Sequence, residues 1–238
     1  MPGRGRCGPC LPLRGEEIAR RGAALGVLPL PITAAAIILA TQGESGPARE
    51  RLQEAHRLLD GRDESIREIR YGHGWSVVAV IDRDYAGAVE AIRRLDVVAE
   101  TRGERWLHSF APDHVNALVS AGDIEAARDH GERMLVGLTD AGIDYAATAL
   151  RAALARVEAA DGNVTAATEF ALQAAEEAET IDGTFLPAMV RSYAGEALLA
   201  VGRRALAYEL LVGADARRAT IGVAWRAAEV KALLGTAG

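Results

Sequence analysis

The stretch Gly122-Asp123-Ile124-Glu125-Ala126-Ala127 decides the reading of this sequence. A glycine that can take a left-handed backbone ends one helix. The alanine five residues later sits in the first turns of the next helix, where a bare methyl lets that helix lie close against its partner. The pattern repeats: Gly162 and Gly202 follow at equal steps, trailed by Ala167 and Ala207. Working back from Gly122, Arg83 leads Ala88 and Gly43 leads Ala48 by the same five residues. A small or apolar residue recurs twelve after each turn: Ala55, Leu95, Met134, Ala174 and Ala214. Offsets of five and twelve are seven apart, hence on one helix face.

Five helix–turn–helix units follow from this register, over 32–42/47–60, 72–82/85–101, 112–121/123–139, 143–161/164–179 and 185–201/204–217, with a last helix over 223–234. None of the eight prolines falls between 113 and 186, which leaves room for long helices. Pro47 and Pro112 suit first helical turns. No unit can bury its apolar face alone, and stacked neighbours bury it jointly. In the helix after Gly122, Ile124, Ala127 and Leu135 or Met134 are expected inside, with Arg128, Asp129 and Glu132 outside. The Gly/Pro/Arg-rich start reads as a disordered tail, so the expected organisation is a tail over 1–15 and a repeat domain over 16–238.

Composition agrees with an all-α chain of 238 residues. Half of the residues are apolar, a quarter charged and only 5% aromatic. That mixture excludes wholesale disorder. Two cysteines exclude a disulfide scaffold. A net charge of −6 argues against direct nucleic-acid binding, which calls for a basic face.

The turn at 122–127 resembles that of the tetratricopeptide repeat, where Gly-Asp-aromatic leads into a helix-packing alanine. Arg83-Asp84-Tyr85-Ala86-Gly87-Ala88 resembles it too. Gly195 and Ala155, seven before Gly202 and Gly162, hold the small position such repeats use for helix contact. The period is about 40 rather than the standard 34, so longer helices are expected. This longer, alanine- and arginine-rich form is similar to the helical sensor region of large ATP-binding LuxR-family regulators of the MalT type, found in actinobacteria and relatives. The likeness is best over 143–235, and the run from Ala214 through Trp225 to Gly235 is similar to the end of that region. The resemblance implies a right-handed α-α superhelix of about five helix pairs plus a C-terminal helix. It also implies a cytoplasmic binding or sensing module that takes a protein or peptide partner or a small-molecule inducer, and that can self-associate. The alternative is a stand-alone protein–protein adaptor. The lone lysine, Lys231, lies outside any Walker A motif, and no helix-turn-helix is expected after Gly238. The chain is therefore expected to be a free-standing array or a fragment of such a regulator.

Catalytic signatures are weak throughout, and no enzyme activity, cofactor or metal is expected. Cys7-Gly8-Pro9-Cys10 fits C-x-x-C, but no strand precedes it and no βαβ pattern follows. Gly3-Arg4-Gly5-Arg6-Cys7-Gly8 fits G-x-G-x-x-G without the strand before it. Zinc would need four ligands, and the sole cysteine pair has no matching histidine pair. The uncharged run 22–43 is interrupted by Pro29 and Pro31 and falls in the repeat register, so it reads as a first-repeat helix rather than an anchor. The cluster His108, Ser109, Asp113 and His114 lacks a G-x-S-x-G elbow, and reads as helix-end and loop chemistry.

The candidate partner groove is aromatic. Tyr71, His73 and Trp75 form one cluster, and Trp106, His108 and Phe110 a second one repeat later. Tyr145, Phe185 and Trp225 recur at steps of 40 near the starts of the later first helices. They read either as inter-repeat packing positions or as an aromatic ladder along a groove that holds a peptide or an aromatic ligand.

Overall fold

In a computed structural model, which describes residues 10–21, 28–61, 71–102, 109–221 and 227–237, all five turn positions take a positive φ. The values are 88° at Gly43, 63° at Arg83, 85° at Gly122, 78° at Gly162 and 76° at Gly202. Arg83 is the sole non-glycine with positive φ among the described residues. The bond pattern is the same at each stop. The turn residue's N–H reaches the carbonyl three residues back, and the next N–H reaches the carbonyl five back from itself: Gly122 to Val119 (3.1 Å) and Asp123 to Leu118 (3.0 Å). Gly43, Arg83, Gly162 and Gly202 repeat this closure. The next helix is then capped by a short polar side chain in three of the five units. Asp84 accepts from the Gly87 N–H, Asp123 from the Ala126 N–H and Asn163 from the Ala166 N–H.

Twelve helices result among the described residues, and no strand. They are α1 (Cys10–Arg21), α2 (Pro29–Thr41), α3 (Ser45–Leu58), α4 (His73–Ile81), α5 (Tyr85–Arg102) and α6 (Ala111–Ala121). There follow α7 (Ile124–Asp140), α8 (Asp144–Ala160), α9 (Val164–Ala178), α10 (Phe185–Ala200), α11 (Arg204–Ile221) and α12 (Ala227–Ala237). The all-α array of five helix pairs with a closing helix is as expected. Helix α1 begins at Cys10, inside the stretch expected to be a tail, with Pro12 in its first turn where a missing N–H costs little. Cys7 and the glycine motif lie outside the described residues. No helix among the described residues is long and apolar enough to cross a membrane.

The helices divide between two compact units, one within Met1–Gly103 and the other over Glu104–Thr220 with Arg226–Gly238. In the first unit, α2 packs on α3 and on α4, and α4 on α5. Its core joins Ala36, Ala40, Ala48, Leu52 and Val78, with a second cluster of Ala19, Leu28, Ile32 and Ala55. Glu16 of α1 accepts from Arg51 of α3 at 2.9 Å, and Arg20 pairs with Glu54, which ties α1 to α3.

In the second unit the first helices of the pairs, α6, α8 and α10, lie side by side; α7 and α9 pack against α6 and α8, and α11 against α10 through Gly195, Ala207 and Leu211. Helix α8 touches α6, α7, α9 and α10, which accounts for its composition. A helix touched on most sides needs small apolar residues at its contacts, and Ala146, Ala147, Ala149, Ala152, Ala153 and Ala155 are all buried. The alanines five after each turn, Ala48, Ala88, Ala127, Ala167 and Ala207, are 0% exposed, so that sequence offset marks the tightest helix–helix contact. Seven before Gly202, Gly195 leaves no room for a methyl: a Cβ there would lie 2.8 Å from Leu211 Cγ and 3.3 Å from the Ala207 carbonyl.

Helix α7 departs from its expected face. Ala127 is buried, but Met134 and Leu135 are only half-buried, as is Ile124. The inward side runs instead through His130, Gly131 and Leu138. Gly131 admits Leu154 of α8, whose Cδ2 sits 2.6 Å from where a Cβ would stand. That insertion turns the helix away from the position twelve after the turn.

Candidate functional site

A polar row crosses the second unit at one register position. Asn116 on α6, Arg156 on α8 and Glu196 on α10 each stand six residues before their turn glycine, so each is one repeat period from the next. Because the three first helices lie side by side, the equal offsets bring the side chains into line. Arg156 Nη1 donates to Asn116 Oδ1 at 2.6 Å, and Arg156 Nη2 donates to Glu196 Oε1 at 3.2 Å. The guanidinium carbon also lies 5.0 Å from the centroid of the Tyr193 ring on α10, a cation–π distance.

Exposure grades along the row. Asn116 is 3% exposed, while the side chains of Arg156 and Glu196 are 11% and 29% exposed. The short Arg156 contact fixes the Asn116 amide. Guanidinium groups only donate, so the oxygen must face Arg156 and the NH2 must face away. That NH2 makes no hydrogen bond among the described residues. Arg156 uses two of its five N–H donors on partners among the described residues. The row therefore holds unspent donors beside a charged centre.

Two histidines of the same unit also meet. The rings of His114 on α6 and His130 on α7 lie 4.2 Å apart between centroids, tilted by 56°, and both residues are buried. His114 lies in the N-terminal turn of α6 after Pro112, as expected, with its side chain buried.

The aromatic candidates are placed as follows. Tyr71 and Trp75 stack with centroids 6.0 Å apart, and His56 of α3 meets Tyr71 at 4.9 Å. Tyr71 and Trp75 pack on the first unit's core and are half-buried, as is His73. The His73 carbonyl accepts from the buried Ser76 hydroxyl at 2.7 Å. Phe110 is half-buried just before α6. Tyr145 and Phe185, at matching positions near the starts of α8 and α10, are 51% and 43% exposed. Trp106, His108 and Trp225 lie outside the described residues. The first cluster and Phe110 fall in different units.

One apolar surface was not singled out from sequence. Along α11, Ala205, Tyr208, Val212, Ala216 and Ala219 are all exposed and share one face. The same register carries Thr165, Thr168, Leu172 and Glu176 on α9, and Glu179 just past its end. The apolar face thus belongs to the last pair alone of these two.

At the sequence level no family model and no curated protein matches the chain. Solved structures do match in fold. The crystal structure of BtubC (BKLC) from P. vanneervenii superposes with a TM-score of 0.62 at 14% identity, covering 90% of this chain and 91% of that one. The putative kinesin light chain of Podosopora anserina, described as nearly identical TPR-like repeats, gives 0.52 at 18% identity, covering 89% and 97%. NprR in complex with its cognate peptide NprX gives 0.62 at 13% identity, covering 94% and 71%. The chain has a tetratricopeptide-like fold. Its long period does not disturb that architecture, because the added residues lengthen helices while the turns and the small contact positions stay in place.

Proposed function

We propose that this chain is a non-enzymatic binding module whose second unit takes an extended peptide segment of a protein partner along the row Asn116–Arg156–Glu196. The observation that carries the reading is the row itself: three different polar residues at one register of three adjacent helices, bonded to one another and still holding unspent donors. An extended peptide exposes a backbone carbonyl and an N–H at every residue, and a line of amide and guanidinium donors suits that pattern. NprR, solved with a peptide, supports the same use of the fold in this chain. Tyr145 and Phe185 are assigned to flanking contacts, where aromatic rings give large contact area at low entropy cost. The sequence resemblance supports placement as the sensor part of a LuxR-type regulator, with bound partner biasing an equilibrium between states. A cytoplasmic site of action follows from that placement.

The test is selection of peptides from a random display library on the full chain, with counter-selection on Asn116→Ala/Arg156→Gln. Peptides that bind the parent and not the variant are expected. Equal recovery on both overturns the reading.

A stand-alone adaptor is the second reading, and the exposed apolar face of α11 favours it, since such faces mark protein contacts. An antibody to residues 143–235 separates the two in lysate of the source cells. A band at the calculated 25.1 kDa supports the adaptor, and one several-fold larger supports the regulator.

A further inference from the structure

We propose that His114 and His130 form a metal site, which takes an ion of the zinc, nickel or copper class and clips α6 to α7. The inference is independent of the peptide-binding reading above. Three observations carry it.

The first is that both histidines depart from the repeat at once. His114 stands eight residues before the turn glycine Gly122, and His130 eight after it. In the next repeat the same two positions hold Leu154 and Phe170, and in the last repeat Ala194 and Leu210. Leu154 is buried, and the other three belong to or pack on the apolar core. Packing at this place is therefore served by apolar side chains. What two imidazoles do there and an apolar pair cannot is share a cation. The two histidines are sixteen residues apart, a spacing that fits no ligand motif, so the pair is visible only in the fold.

The second is preorganisation. Both residues stand on helices of one repeat, and they are 6% and 7% exposed. Packing thus fixes the rings before an ion arrives, which is what a metal site asks of its scaffold. The third is reach. The ring centroids are 4.2 Å apart, and a ring nitrogen of each lies within 4.8 Å of the other. Metal–imidazole bonds are about 2.0–2.1 Å long, so one ion holds two nitrogens about 3–4 Å apart. A small turn of either ring closes the difference. The donors set the class of ion. Imidazole suits zinc, copper and nickel, whereas magnesium and calcium call for oxygen. Two nitrogens leave the other positions of the ion to water.

The test is titration of the full chain with cobalt(II) and with zinc. It is run in a Cys7→Ser/Cys10→Ser background, so that thiols do not compete. A single cobalt(II) ion per chain is expected to bind, with the visible absorption of a nitrogen-ligated ion. Zinc is expected to displace it and to raise Tm, since an ion that binds only the folded chain stabilises it. His114→Leu/His130→Phe gives this repeat the pair that the next one uses, so the core stays filled. It is expected to weaken binding by about tenfold or more and to lose the zinc-dependent rise in Tm. His114→Gln and His130→Gln, each made alone, are expected to weaken binding as well, so the reading does not hang on the folding of one variant. His56→Gln, a change in the first unit, is expected to bind as the parent does. Equal affinity in the parent and in the three His114 and His130 variants overturns the inference, as does a parent that takes up no metal.

Discussion

Arg128 on α7 donates to Asp161 at the end of α8 at 2.8 Å, six residues after one turn to one residue before the next. Arg49 and Asp82 in the first unit hold the same two positions and bond at 2.7 Å. Each pair clips the second helix of one repeat to the end of the following first helix. The environments differ. Arg128 also donates to Glu158, whose side chain is 9% exposed, and the hydrogen bond to Glu158 is the largest influence raising the Arg128 pKa. Arg49 is 53% exposed and spends itself on Asp82.

The two clips should therefore differ in worth. Arg128→Ala leaves Glu158 with only the Asn163 amide at 2.8 Å as donor. A loss of about 2 kcal/mol is expected, as for a mostly buried charge deprived of its partner. Arg49→Ala breaks an open pair and should cost about 0.5 kcal/mol. Urea melts of the two variants check the order, and equal losses would contradict it.

Arg83 carries a left-handed backbone where the other four turns use glycine. A side chain in that conformation costs about 1 kcal/mol. Arg83→Gly is expected to recover most of it, a rise in Tm of roughly 2–4 °C for a chain of this size. Gly122→Ala should move stability the opposite way by a similar amount, at a φ of 85°. Differential scanning calorimetry on both variants is the measurement.

Glu179 at the end of α9 accepts from Arg191 at 2.7 Å and from Arg217 at 2.7 Å. The Arg191 hydrogen bond is the main reason that its carboxyl pKa lies below the ordinary value, against the opposing pull of burial. A depressed carboxylate pKa means the unfolded chain binds the proton more readily. The stabilisation is thus present above about pH 4.5, the unfolded range, and is lost as pH falls through the folded value. Wild type and Glu179→Gln should differ in stability at pH 7 and converge towards pH 3, with the difference kept small by solvent screening of a partly exposed group. A gap that widens on acidification would contradict the assignment.

How far this could be read from sequence depends on what kind of signal each feature leaves. The turns leave residue identity at a fixed period, so Gly43, Gly122, Gly162 and Gly202 announce themselves, and Arg83 is caught only because its neighbours keep the register. The buried alanines are legible for the same reason. The row is a different case. Asn116, Arg156 and Glu196 recur at the repeat period but share no side-chain type, so a search for repeated residues passes over them. They become visible when the turn glycine is taken as origin and the chain is read six residues back. His114 and His130 meet because α6 and α7 fold back on each other, a juxtaposition that helix periodicity does not carry. The face of α7 is misjudged from sequence because Leu154 of α8 inserts at Gly131, and an inserted neighbour writes nothing into the helix it enters.

Gly195 offers the sharpest test of the packing. A methyl at this position would stand 2.8 Å from Leu211 Cγ and 3.3 Å from the Ala207 carbonyl oxygen. The leucine can shift, but the backbone carbonyl cannot without moving α11. Gly195→Ala is expected to destabilise by about 1–3 kcal/mol through overpacking, despite alanine's better helix propensity. Leu211→Ala alone removes a fully buried side chain and should cost about 2–5 kcal/mol. Because the two positions touch, the costs should not add: the double variant should lose less than the sum of the two single changes, by about 0.5 kcal/mol or more. Additive losses in a double-mutant cycle by urea denaturation would mean that the new methyl meets Ala207 rather than Leu211. The close approach of α10 and α11 would then be set by the backbone alone.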